Sequence, residues 1–403
     1  MPMSDLAHRT GAAAPPPLGA AAGLAPLVLI VFLGFLAVGA PLPALALYVH
    51  DELGFGGAVV GWSIGLQSLA AVLTRHRAGT ISDASGPRRA VLLGLPLAAL
   101  SGLLYLASAW APLAPGGRLG LLILGRLILG LGESLFLTGT MSWGIARLDA
   151  SRTGKVMSWQ GIAMYAAIGL GAPLGLAVHA AAGFAGVAAL AAGAPLLAVA
   201  VALALPGVPA SGGGERVGVG RVLGLIWRPG LVLALATVPF AAMAAFLVLD
   251  YADHGWSGAG LGLAGFGAGY ILVRLLGSHL PDRLGGARIA AASLGVEVLG
   301  QLLLWLAPGP GLAAAGATVT GLGFSLVFPA MGVEATRRVP PELRGRAVGG
   351  FIAFFDVAMG LTGPAVGLVA GRFGFASAFL VGAVATLAAL ALLTARRRAG
   401  TAA

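Results

Sequence analysis

A few charged side chains stand inside long apolar runs, where a charge is expensive and usually tied to function. Arg126 and Glu133 interrupt the run 119–146. Their seven-residue spacing is close to two helical turns, which puts both on one helix face about 10 Å apart along the axis. Removal from water favours a neutral carboxyl group, and a nearby cation favours the charged one. A bound solute could therefore change the proton occupancy of Glu133. Asp356 lies in the run 346–371, eight residues before Gly363-Pro364. Gln67 and Trp62 in one run and Trp143 in another could contact a solute. Glu297, with Gln301 one turn later, reads as structural and hydrogen-bonded to a neighbour, and Glu334 reads as interfacial. His50, Asp51, Asp250, Asp253 and His254 fall at run ends and read as solvated.

These residues do not form an enzyme site. There is no H-E-x-x-H or G-x-S-x-G pattern. Lys155 follows Gly154, but no glycine stands five positions earlier, so there is no P-loop. With Cys 0 there are no thiolate metal sites. No catalytic residue, metal ligand or cofactor is expected, and a proton gradient is the energy source that buried acids would use.

The elements that must hold these residues are membrane spans. Of 403 residues, 58% are hydrophobic and 9% charged; soluble domains have roughly 45–50% and 25%. The mean hydropathy of +0.96 leaves no room for a large soluble domain. Gly 66 without a triplet period excludes collagen. At about 20 residues per span, twelve candidates are read at 24–49, 57–76, 90–110, 119–146, 156–181, 184–205, 230–250, 258–280, 288–307, 311–335, 346–371 and 374–395. The fold class is therefore an all-α membrane protein. Residues 1–23 form a disordered tail, 24–205 and 230–395 two six-helix bundles, 206–229 a cytoplasmic linker, and 396–403 a second tail.

The net charge of +10 would suggest nucleic acid in a soluble protein. Here 21 of the 24 basic residues fall on one side of the twelve-span arrangement, Arg75 and Arg274 being counted in its loops. This points to topogenic charge, cytoplasmic termini and no nucleic-acid partner.

The halves repeat one another. LTRHRAGTISDASGPRR (73–89) and LVRLLGSHLPDRLGGAR (272–288) align at an offset of 199, matching Arg75 to Arg274, Asp83 to Asp282, Gly86 to Gly285 and Arg89 to Arg288. At an offset of 191, Gly130, Gly132 and Ser134 fall on Gly321, Gly323 and Ser325, and Tyr165 falls on Asp356. Paired six-helix repeats suit a transporter whose midplane site opens alternately to each side.

Twelve spans in two halves, with the loop Gly79, Asp83, Gly86, Arg88 and Arg89 after span two, resemble the major facilitator superfamily. The strings GAPLPALALYVHDELGF (39–55) and GLGFSLVFPAMGV (321–333) resemble its bacterial YfcJ/YhhS-type subfamily, grouped with sugar and drug efflux permeases. The resemblance implies that Asp83 latches the halves at Arg344–Ala347, and that Asp282, Arg283 and Gly285 repeat this near Gly154 and Lys155. Ala84 replaces the usual basic residue of the first copy. On the residues alone, glycines permit the tight turn, and Arg88 and Arg89 hold the loop at the anionic leaflet. Arg126-x-x-x-Gly130-x-Gly132 resembles the span-four motif of drug/proton antiporters, which implies a proton role for Arg126. Pro173 and Gly363-Pro364 resemble, imperfectly, their helix-bending motif. The expectation is a monomeric inner-membrane transporter of a small molecule, driven by protons and most consistent with efflux. An importer or facilitator is the alternative, and a non-transporting sensor the remote one.

Overall fold

A backbone in hydrocarbon must satisfy its own N–H and C=O groups, and helices do so locally. A computed structural model describes residues 20–148, 153–210, 219–337, 339 and 344–400. Eleven of its helices are long and apolar enough to cross a membrane. One of them, Lys155–Ala204, is broken at Gly183, where φ is 64°. That break resolves it into two, giving twelve crossings among the described residues. Numbered by crossing they are α1 (Gly23–Glu52), α2 (Gly57–Ser85), α3 (Pro87–Trp110), α4 (Pro115–Leu148), α5 (155–182), α6 (184–204), α7 (Leu223–Asp253), α8 (Ala259–Gly277), α9 (Gly286–Trp305), α10 (Pro310–Ala335), α11 (Arg344–Phe373) and α12 (Ser377–Gly400). With an even number of crossings, the first and last described helices begin and end on the same side.

Most spans run longer than the apolar runs that announce them. The α2 helix continues to Ser85, so Gly79 and Asp83 are helical rather than in a loop. Gly79 allows no turn: a Cβ there would meet open space. The turn is made at Gly86, with φ 91° and ψ 146°, and again at Gly285, with φ 89° and ψ 133°. This matched backbone, reserved for glycine by its positive φ, is the sequence repeat in three dimensions. The helix leading into α7 begins at Val219, inside the segment read as the linker, and 211–218 lie outside the described residues.

One buried apolar cluster spans both halves, from Phe35, Leu95, Tyr105, Leu129 and Phe136 to Phe240, Phe266 and Phe324. A second, with Ile226, Leu233, Leu294, Met331 and Phe351, lies within the second half. The halves meet chiefly through two helix pairs, α2 with α11 and α5 with α8, and also where α1 touches α7. Small residues at such crossings let backbones approach closely. A Cβ at Gly61 would collide with the carbonyl of Gly363 and the nitrogen of Pro364. Gly57 faces Gly367 and Gly65 faces Gly360 in the same way, so the zipper runs about 12 Å along α2. In the other pair a Cβ at Gly260 would lie 2.8 Å from Pro173 Cα. Helices continue through both Pro173 and Pro364, whose contacts are at the junctions between halves.

Gly61→Val should lower the thermal midpoint of the detergent-purified protein, at a cost of about 1–3 kcal/mol for overpacking. Gly79→Ala should leave it within about 0.5 kcal/mol, as surface changes usually do. Melting curves of the two variants check the contrast.

Candidate functional site

Four side chains on three helices form a charged seam that starts inside the first half and ends on the second. Arg126, on α4, is 1% exposed and donates from Nη2 to the carbonyl of Ile64 on α2 at 2.8 Å. Its Nε and Nη1 make no hydrogen bond of good geometry among the described residues, with the Tyr105 hydroxyl close by. Glu133, seven residues further on, accepts from Gln67 Nε2 of α2 at 2.6 Å. It stands within electrostatic range of both Arg75 and Arg126. The seam closes where Arg75 Nη2, on α2, reaches Asp356 Oδ2, on α11, at 2.6 Å. Those side chains are 16% and 6% exposed.

The Arg75–Asp356 pair is the ion pair that joins the halves among the described residues. In low dielectric the attraction is strong, but removing two charges from water offsets much of it. The contact is therefore finely balanced and sensitive to either charge. It lies about 15 Å along α2 from the helix end on the face that carries the termini. The Gly57–Gly367 and Gly61–Gly363 contacts seal the opposite end.

The pseudo-symmetric junction has different chemistry. Arg274 on α8, the repeat of Arg75, is 6% exposed and donates to the Tyr270 hydroxyl at 2.9 Å and the Ser325 carbonyl at 3.3 Å. Across from it stands Tyr165 of α5, the repeat of Asp356, with its ring centroid 3.8 Å from that of Tyr270. Tyr165 also packs on Phe240, Phe266 and Phe324 of the second half. One junction is an ion pair and the other is aromatic.

Several expectations are corrected by this geometry. Arg75, half-buried on α2, and Arg274, buried on α8, are helical charges and not loop charges, so two of the 21 basic residues do not contribute topogenic charge. Glu297 is fully buried, yet neither carboxyl oxygen has a hydrogen-bond partner among the described residues; its neighbour Gln301 does, with Thr320 and Met243. Asp250 is not solvated but 2% exposed, 3.6 Å from His254. Arg88 is anchored to protein, donating to the last carbonyls of α6 at Ala202 and Leu203, where a cation also complements the helix dipole.

The other predicted residues stay apart from the seam. Trp143 is fully buried within the first half, with the Arg147 guanidinium 5.3 Å over its ring. Trp62 is 42% exposed and lines a lateral apolar groove with Leu361, Pro364 and Leu368. Asp83 lies in the last turn of α2 and is partly buried. The side chains of Asp282, Arg344 and Arg346 lie outside the described residues, and Arg283 is exposed. Among the described residues no group of three or more His, Cys, Asp or Glu could hold a metal ion. Sequence reasoning missed Arg75, Arg274 and Tyr165 as site residues, although their repeat matches were the available signal.

Twelve crossings, a twofold repeat and buried charge between the halves define a secondary transporter. The pattern described as Major Facilitator Superfamily matches residues 27–258 and 231–402. A protein described as an uncharacterized MFS-type transporter of Pseudomonas aeruginosa is 47% identical over 373 residues, covering 92% of each chain. Another from Salmonella typhimurium is 43% identical over 364 residues, covering 90% of this chain and 93% of its own. The chain belongs to the major facilitator superfamily. Its fold is similar to that of a D-xylose-proton symporter (TM-score 0.74, 16% identity, 91% of this chain and 96% of that one). It is also similar to that of the nucleoside transporter NupG (TM-score 0.71, 17% identity, 92% and 98%).

Arg75→Ala leaves the Asp356 carboxyl buried without its partner, and breaking a buried pair from one side costs about 3–5 kcal/mol. The double variant Arg75→Ala/Asp356→Ala should recover much of that loss. A double-mutant cycle on thermal stability measures the coupling.

Proposed function

We propose that this transporter couples solute movement to protons by alternating access, exporting a small sugar, drug or similar molecule in exchange for protons. The observation that carries the reading is the Arg75–Asp356 ion pair, which bridges the halves at 2.6 Å. While Asp356 is charged, it holds α11 to α2. A proton on Asp356 removes one of the two charges, weakens the bridge and frees the halves to rock. Glu133, held by Gln67 at 2.6 Å, is the second acid, and it shares the field of Arg75 with Asp356. Arg126 keeps positive charge behind it. Proton binding is thus linked to the same contact that sets which face is open, and a population shift needs such differential binding.

The two moving bodies are 24–205 and 230–395. Asp83, with Gly79, Gly86, Arg88 and Arg89, is proposed as a latch on the first turn of α11, with Asp282, Arg283 and Gly285 as the repeat latch. Pro173 and Gly363-Pro364 serve as close-packed fulcrums between the halves. Basic residues on the face that carries the termini support an inner-membrane protein with both termini cytoplasmic, acting as a monomer with small molecules, protons and lipid as partners. The efflux direction rests on the subfamily resemblance. Proton symport is the second reading, favoured by structural neighbours described as D-xylose-proton and fucose:proton symporters.

In proteoliposomes, Asp356→Asn should abolish accumulation driven by a pH gradient while keeping solute counterflow, and Glu133→Gln should reduce the coupling. If both variants still concentrate solute as the wild type does, the assigned acids are wrong. Imposing the gradient in each direction separates exchange from symport. Asp83→Asn should cut transport more than it cuts the amount of protein in the membrane; equal transport at equal expression removes the latch.

A further inference from the structure

Arg75 and Arg274 are repeat counterparts, but only Arg75 is neutralised by a carboxylate. At the α5–α8 junction, the position equivalent to Asp356 is Tyr165, and no described carboxylate forms an ion pair with Arg274. Its Nη groups bind the Tyr270 hydroxyl and the Ser325 carbonyl, while Nε has no partner. Gly161 of α5 packs directly on this guanidinium: a Cβ there would lie 3.2 Å from Arg274 Nη2 and 3.9 Å from Nε. Gln160, the residue before Gly161 on α5, is 4% exposed, and neither polar atom of its amide has a hydrogen-bond partner among the described residues. A buried guanidinium edge packed on α5, and a buried primary amide one residue from that contact along α5, thus stand at the junction between the halves.

A buried cation without a counter-charge is costly, and a guanidinium matches a carboxylate in charge and in donor geometry. Arg126 also lacks an ion pair, but its contact with Ile64 lies wholly within the first half, so rocking leaves it unchanged. Arg274 sits where both halves touch. Around it, the Tyr165 and Tyr270 rings, with Phe240 and Phe324 close by, offer flat apolar faces.

We propose that Arg274 anchors the carboxylate of the transported solute, with Gln160 as a second polar contact, so that the substrates are small organic carboxylates with a ring-shaped body. The solute then uses the aromatic junction and the proton uses the α2–α11 junction. This inference rests on the transport reading above but makes a separate claim about binding.

The test compares glucuronate with glucose and benzoate with benzyl alcohol, using the full chain. Thermal stabilisation in detergent reports binding, and counterflow in proteoliposomes reports transport. In at least one pair, the carboxylate should act at about tenfold lower concentration than its neutral partner, a difference of about 1.4 kcal/mol. Arg274→Gln should erase that preference, Arg274→Lys should keep part of it, and Gln160→Leu should weaken it. Should Arg274→Gln fail to give a monodisperse protein, Arg274→Lys and Gln160→Leu decide, and no effect from either overturns the proposal. Equal action of the neutral partner in both pairs, no response to either carboxylate, or an unchanged preference in Arg274→Gln also overturns it. Proton-coupled flux of the neutral solutes alone would keep the transport reading and remove the carboxylate site. Arg274-dependent binding without flux of any solute would do the reverse.

Discussion

The structure depends on one ion pair that is strong enough to join two halves and marginal enough to let them part. Arg75 and Asp356 meet at 2.6 Å with little exposure. In hydrocarbon there is no hydrophobic driving force between helices, so the halves are held by close packing and polar contacts. The packing is supplied by the glycine zipper of α2 and α11, which brings Gly61 against Gly363 and Gly65 against Gly360. That zipper carries no charge to titrate. The pair at its end does, and the balance between Coulomb attraction and desolvation makes it responsive to a single proton.

The twofold repeat sharpens this assignment. Gly86 and Gly285 adopt nearly the same backbone, and Arg75 and Arg274 occupy equivalent repeat positions, the first half-buried and the second buried. Evolution from a common unit would give two identical junctions, yet Asp356 stands opposite one arginine and Tyr165 near the other. The scaffold is symmetric while the chemistry is not. The junctions differ in their chemistry, since a tyrosine ring 3.8 Å from that of Tyr270 brings an aromatic face where Asp356 brings a charge.

The fold was largely legible in the sequence because a span is long, apolar and bounded by charge, and the repeat fixed how the spans group into halves. The site was legible in part. The helical period correctly placed Arg126 and Glu133 on α4, but it could not show that Gln67, from another helix, would be the partner of Glu133. Arg75 and Arg274 were hidden because charges at the end of an apolar run were counted with the loop that follows, whereas both stand on helices. Asp250 was hidden for the same reason at the far face: its burial comes from packing that no linear pattern encodes.

The central claim is that protonation of Asp356 loosens the junction between the halves. A chain with Cys 0 accepts spin labels at chosen sites, and exposed Thr80 on α2 and Gly349 on α11 flank the pair on the face that carries the termini. Distances between labels on Thr80→Cys and Gly349→Cys, measured in lipid as pH is lowered, should shift toward longer separations. Asp356→Asn should hold the long separation at every pH. A distribution that ignores pH, or the same pH dependence in Asp356→Asn, would contradict the account.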